Sequence, residues 1–237
     1  MLAGLPLGIV QWKQVFRERA KAARREAAAR QPSAAKHAAS AFMMEFGDSL
    51  EGKTIAGAPN PREAEAQGAD RPPAKQAAPA EAPRAVSEKS VALYHPTGDE
   101  LDTEPLADAL AKRGIAVLLP VVVKKNAPLV FRLFEIDKGL EEGRYGIMQP
   151  PESCPEMRPD VIVTPLLGVR RDGARLGMGG GYYDRTLAAL RAEGDMIAVG
   201  YGFAAQKMDR FPVGPEDQFL DGFVSEQGFE RFPRRNA

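Results

Sequence analysis

The chain has 237 residues, and 32 Lys plus Arg balance 32 Asp plus Glu. Zero net charge argues against a generic nucleic-acid binder, which carries a basic excess. One cysteine and 2 histidines exclude an intrachain disulfide, a multi-cysteine metal site and a histidine-rich zinc centre, while 44% hydrophobic residues over this length suit one α/β domain.

The opening residues, MLAGLPLGIVQWKQVF, are mildly apolar but carry no run of about 18 apolar residues and no clean small-residue cleavage site. From Lys13 to Arg30 basic residues alternate with alanines in the manner of an organelle presequence, but Glu18 and Glu26 interrupt the pattern. The expectation is a soluble cytoplasmic protein with no membrane partner. Trp12 to Arg30 reads as a helix, since alanine and arginine are strong helix formers. Pro32 and Ser33 end it, and Ser33 is placed to cap a second helix running toward Phe46. Residues 1–56 are thus expected to be helices packing onto a core. Gly57 to Glu88 contains no aromatic residue, no Leu and no Ile. Such a segment buries too little apolar surface to offset its ordering entropy, so 57–88 reads as a disordered insertion or linker.

Ordered signals resume in 89–237, which is expected to form the catalytic core and to be continuous with 12–56 as one domain. VALYH, from Val91, is a short strand, and the GDELDTEPLADALAKRG run leads into a helix with Leu106, Ala109 and Leu110 on one side and Gly114 as C-cap. IAVLLP, LVFRLFEI, DVIVTPLLGV, MIAVGYGF and FLDGFVSE are further strands, with a helix from about Asp184 to Glu193 between the third and fourth of these. The alternation specifies a three-layer α/β/α domain with a mostly parallel central sheet. Ligands in such folds bind at the carboxyl ends of the strands.

The sharpest local feature is RLGMGGGYYDR, Arg175 to Arg185. Gly177, Gly179, Gly180 and Gly181 allow close backbone approach and expose amide hydrogens to an anion. The helix that follows adds a dipole and free N–H groups, and the two arginines add planar donors for phosphate or carboxylate. The run is neither a Walker A loop, because GK[ST] is missing, nor a dinucleotide fingerprint, because the glycine spacing differs. The competing reading is a tight structural turn. Asp184 serves either as an N-cap or as a Mg²⁺ ligand against bound phosphates. Tyr182 and Tyr183 either pack in the core or line a flat aromatic ligand. Asp217 and Asp221 bracket a short apolar run and by themselves read as surface acids.

The run from Arg175 to Arg185 resembles the hallmark of the 5-formyltetrahydrofolate cyclo-ligase (5,10-methenyltetrahydrofolate synthetase) family, RLG-x-GGG-[YF]-YDR. YHPTGDELDTEPL, VLLPVV, YGIMQP and AVGYGFAAQ with FPVGPEDQFLD resemble further family segments. The fold implied resembles the sugar-phosphate isomerase and CoA-transferase scaffold. The resemblance implies an ATP- and Mg²⁺-dependent closure of 5-formyltetrahydrofolate to 5,10-methenyltetrahydrofolate, with ADP and phosphate released. The γ-phosphoryl group activates the formyl oxygen, N10 attacks the activated carbon and phosphate leaves. Such chemistry needs positioning, charge neutralisation and exclusion of water more than covalent help.

Site residues follow from the same resemblance. Lys21 and Arg25 are implied as the ATP-phosphate pair of the N-terminal helix, against a plain solvated basic face. Arg175, Gly177, Gly179, Gly180, Gly181, Tyr182 and Tyr183 are implied in the nucleotide loop, and Glu100, Met178 and Tyr182 at the folate. Glu100, Arg175 and Arg185 are implied in catalysis, and Asp184 with Asp217 as the Mg²⁺ ligands. The expected state is a monomer. Cys154 reads as an incidental residue, and His95 as a structural or pterin-edge residue rather than a metal ligand. The chain departs from the family pattern at Val169 and Arg170, where a Phe-Asp pair is common, and at Met178, Gln149 and Glu216; Asp172 is the candidate to balance Arg170. The rival readings are a nucleotide- or phosphate-binding regulatory protein on the same scaffold, and an isomerase-like or CoA-transfer enzyme.

Overall fold

The computed structural model describes residues 8–51, 54–56, 85–87 and 89–233. Most of the expected 57–88 insertion lies outside the described residues. Residues 85–87 are described and, against the expectation, form a strand: β1 (Thr54–Ala56) pairs antiparallel with β2 (Ala85–Ser87), so the chain on both sides of 57–84 is brought together.

Helix α1 (Ile9–Arg30) begins before the expected Trp12, and α2 (Ala34–Leu50) runs past Phe46. Ser33 stands at the N-cap position of α2 but in a helical conformation, and its side chain makes no capping bond, which corrects the expected cap. Its carbonyl instead accepts from the amides of Lys36 and His37. On α2 the stripe Ala34, Ala38, Phe42, Phe46 and Leu50 is buried at one-turn spacing, and this face docks the helix.

The strands that follow are β3 (Ser90–Ala92), β4 (Ala116–Val121), β5 (Val130–Leu133), β6 (Glu141–Glu142), β7 (Met148–Gln149), β8 (Val161–Thr164), β9 (Gly168–Val169) and β10 (Arg175–Leu176). After them come β11 (Ile197–Tyr201), β12 (Gly222–Ser225) and β13 (Gly228–Arg231), with α3 (Glu104–Lys112) after β3 and α4 (Tyr182–Glu193) after β10. A seven-stranded sheet has the order β13-β12-β11-β8-β3-β4-β5. The five inner strands are parallel, and the edges β5 and β13 are antiparallel. The mostly parallel sheet is as expected; the direction of β5 is not written in its apolar run.

Alternate residues of the inner strands feed two cores. Val91, Val117, Val161, Val163 and Val199 pack with α2 and α3 on one face. Ala92, Leu118, Ile162 and Ala198 pack with Leu187 of α4 and with Phe223 on the other. Both faces being covered is why these strands read as continuous apolar runs rather than alternating ones.

The strand order fixes the ligand end of the sheet. From β3 the chain moves outward to β4 and β5, and from β8 it moves outward the other way, so β3 and β8 flank the topological switch point. Their carboxyl ends lead into 93–103 and 165–181, the place where open α/β sheets bind ligands.

Candidate functional site

The β9–β10 hairpin carries the chain from β8 into the glycine run, and Gly181 ends that run as the N-cap of α4 in the left-handed region (φ 66°, ψ 12°). The helix therefore begins at Tyr182, earlier than the expected Asp184, and Tyr182, Tyr183 and Asp184 form its first turn. Their amides are the unpaired donors of the helix start and lie beside the glycine loop, where an anion is favoured.

Arginines pack directly on the loop backbone. Arg175 Nη1 donates to the carbonyl of Pro165 at 3.2 Å and its Nη2 pairs with Asp184 Oδ2 at 3.2 Å, while the guanidinium lies 5.3 Å from the Tyr183 ring centre. Arg185 Nη2 donates to the Gly180 carbonyl at 2.7 Å, with its guanidinium 5.2 Å from the Tyr182 ring centre. Arg17 Nε of α1 donates to the Gly177 carbonyl at 3.0 Å. The glycines make room for this: a Cβ on Gly177 would meet Arg175 Nη1 at 2.7 Å, and one on Gly181 would meet Arg185 Nη1 at 2.7 Å.

The carboxylates of this corner are already balanced by cations. Asp184 Oδ1 also accepts from the Gln218 amide at 3.2 Å. Next to Gln218, Asp217 pairs with Lys13 of α1 and accepts from the Gly214 amide at 2.7 Å. Beyond β3, Glu100 Oε2 accepts from the Thr97 amide at 2.9 Å and hydroxyl at 3.0 Å, and its Oε1 meets Arg24 Nη1 at 3.3 Å. Burial pushes the Tyr183 phenol well up, the nearby Glu100 carboxylate adds to the rise and Arg175 opposes it. Tyr94 behaves alike: burial raises it first, then Glu100.

The expected residues are therefore gathered unevenly. Arg175, Arg185, Tyr182, Tyr183, Asp184, Asp217 and the glycines share one corner, with Met178 62% exposed at its rim and Glu100 facing it near Tyr183. Lys21 instead pairs with Glu18 of its own helix at 3.0 Å, and Arg25 is exposed. The contacts from α1 come from Lys13 and Arg17, which repeat the same i,i+4 spacing two turns earlier. Only helix docking chooses between the two pairs. Arg170, at the departure from the family's Phe-Asp, has Nε 3.0 Å from Asp172 Oδ1 and donates to the Phe211 carbonyl at 2.8 Å, so its charge is balanced within its own turn. Cys154 is buried, and burial pushes its thiol up.

Sequence reasoning passed over Tyr145. It has φ 64°, and its hydroxyl lies 2.9 Å from that of Tyr182 with the rings edge to face. A left-handed conformation at a bulky residue is uncommon, and the Tyr-Gly pair at 145–146 was its only sequence signal.

The Nε atoms of Arg175 and Arg185 in this corner, and of Arg24 beside Glu100, are buried without hydrogen-bond partners among the described residues. No group of three or more His, Cys, Asp or Glu among the described residues holds a metal by itself. Asp184 and Asp217 are each paired with a cation, Arg175 and Lys13. No helix among the described residues is long and apolar enough to cross a membrane.

The fold is that of an α/β protein with a mostly parallel sheet and a glycine loop at the start of a helix. The profile of the 5-formyltetrahydrofolate cyclo-ligase family matches residues 62–226. The chain is 36% identical over 148 residues to 5-formyltetrahydrofolate cyclo-ligase of Escherichia coli K12, spanning 60% of this chain and 81% of the relative. It is 37% identical over 141 residues to the enzyme of that name from Mycolicibacterium smegmatis, spanning 56% and 71%. The NMR structure of Aquifex aeolicus 5,10-methenyltetrahydrofolate synthetase superposes with a TM-score of 0.51 at 30% identity, covering 63% of this chain and 74% of that one. The chain belongs to the 5-formyltetrahydrofolate cyclo-ligase family, whose reaction is the ATP- and Mg²⁺-dependent cyclisation of 5-formyltetrahydrofolate to 5,10-methenyltetrahydrofolate.

Proposed function

We propose that this reaction runs at the carboxyl ends of β3 and β8, with Mg-ATP on the glycine loop and the folate between Glu100 and Tyr182. The observation that carries the reading is the convergence of Arg17, Arg175 and Arg185 on a glycine loop at the start of α4, with Asp184 and Asp217 in the same corner. Arg175 and Arg185 neutralise the charge on the transferring phosphoryl group, and the free amides of α4 hold phosphate oxygens. Lys13 and Arg17 take the phosphate role that Lys21 and Arg25 were expected to fill. Asp184 and Asp217 hold Mg²⁺, which when bound supplies charge neutralisation at the phosphates.

The formyl oxygen forms a bond to the γ-phosphorus as the bond to the β-phosphate oxygen breaks. N10 then bonds to the formyl carbon and gives up its proton, and the carbon–oxygen bond breaks to release phosphate. Glu100 orients the folate beside the reacting formyl group, and Tyr182 with exposed Met178 forms the rim over it. A monomeric, cytoplasmic enzyme belongs to the same proposal.

The test is spectrophotometric. Methenyl-folate absorbance and ADP are expected to rise together, and only when 5-formyltetrahydrofolate and Mg-ATP are both present. Binding of ATP without turnover at high enzyme concentration would instead favour the regulatory alternative.

A further inference from the structure

Arg24 is the one charged residue among the buried positions of α1, which are Ala20, Arg24 and Ala27. Its side chain is 7% exposed, and its guanidinium meets two consecutive acids, Glu100 Oε1 at 3.3 Å and Asp99 Oδ1 at 3.5 Å. Those acids follow Gly98, whose left-handed conformation (φ 60°) turns the chain just beyond the carboxyl end of β3. The remaining oxygen of Glu100 is tied to Thr97. Both carboxylate oxygens are thus fixed, one by the turn itself and one from another element.

Burying a guanidinium is costly unless it is well paired, and an apolar residue at the same place is commonly as stable. Ala20 and Ala27 show that small apolar residues suffice to seat this face of the helix. What arginine adds at this position is a planar fork that holds two carboxylates at once, which a point charge does not do. The groups facing Glu100 are Arg24 from α1, Tyr183 from α4, Tyr94 from the end of β3 and Asp99 beside it. Arg24 is the only cation the structure bonds to it among the described residues.

We propose that Arg24 is a positioning residue of the cyclisation, acting through Glu100 and fixing the direction in which that carboxylate meets the folate. This rests on the role given above to Glu100. It also gives α1 two tasks on one face, since Arg17 reaches the nucleotide loop while Arg24 sets the folate side.

Steady-state kinetics of the full chain test the idea with R24M, R24K, E100Q and the double variant R24M/E100Q. R24M is expected to lower kcat about 10²-fold, the loss that a small misplacement of a working group brings, with KM for Mg-ATP within about twofold. R24K is expected to recover part of that loss, because it restores charge without the fork. The decisive reading is the cycle: R24M/E100Q should be no slower than E100Q alone, because a residue acting only through Glu100 has nothing left to position. Losses that multiply would overturn the proposal, as would wild-type kcat in R24M. E100Q at the wild-type rate would instead remove Glu100 from the site reading, and the proposal with it. Should R24M fail to fold, the cycle is run with R24K: a loss absent from the E100Q background supports the proposal, and one that persists there overturns it.

Discussion

Arg17 Nε and the Gly177 carbonyl lie 3.0 Å apart although 160 residues separate them in the chain. This bond joins the N-terminal helix to the glycine loop, and the proposed function gives Arg17 a contact with the nucleotide. R17M is expected to raise KM for Mg-ATP about 10- to 100-fold, the usual worth of a hydrogen bond to a charged group. R25M should leave it within about twofold, as for other exposed surface changes. The two variants compared in one initial-rate assay check the assignment, and equal effects would defeat it.

Gly179 carries the same contact from the other side. Its φ is +101°, and a Cβ there would lie 3.1 Å from Arg17 Cζ. G179A is therefore expected to raise KM for Mg-ATP in the wild-type background and to add little to R17M. Gly228 has φ +122° with nothing within 4 Å of the added carbon. G228A should show the backbone cost of about 1–2 kcal/mol in thermal denaturation, with kinetics unchanged.

D184N tests the metal assignment. The half-saturating Mg²⁺ concentration is expected to rise about tenfold or more, since loss of one of two carboxylates weakens a hard oxygen site. Arg175 loses its anionic partner in the same variant, so stability should fall by about 1–3 kcal/mol. Unaltered Mg²⁺ dependence would take Asp184 out of the metal site while leaving its structural pairing in place.

Alkaline pH acts on buried phenols. Tyr94, Tyr183 and Tyr201 are all pushed up, chiefly by burial. In the unfolded chain a tyrosine ionises near pH 10. Folding therefore favours the neutral phenols, and this contribution is full below about pH 10 and lost as pH rises above it. A tyrosinate absorbance titration followed alongside circular dichroism should show these three of the 5 tyrosines ionising only as the fold is lost. Ionisation of all five before unfolding would contradict the burial.

Thr186 provides a test of the frame beneath the site. Its hydroxyl accepts from the Leu129 amide at 2.8 Å and donates to the Tyr182 carbonyl at 2.7 Å, and the residue is wholly buried. T186V leaves that amide without a partner and should cost about 1–3 kcal/mol in denaturant unfolding.

Much of the site is legible in the chain because it is local. Arg175 to Arg185 lie within one turn and one helix start, so their residue types already state the chemistry. The β-α-β rhythm likewise follows from apolar runs and the punctuation between them. The basic face of α1 was legible as a face but not as a contact. Lys13–Arg17 and Lys21–Arg25 share one spacing, and the choice between them depends on how far along the helix the loops lie. The pairing of Tyr145 with Tyr182 escaped notice because 37 residues separate them and neither sequence neighbourhood refers to the other.

Neutral net charge by itself argues against a class of partner and names none. The sequence determined the α/β class, the glycine loop and the family, since these rest on local propensity and on short motifs. The tertiary structure alone decided the antiparallel edges β5 and β13, the contact of Arg17 rather than Arg25 with the glycine loop, and the approach of Arg24 to Glu100. Strand direction and long-range ion pairs are set by packing between distant segments, and the energies that select them appear only when both partners are in place.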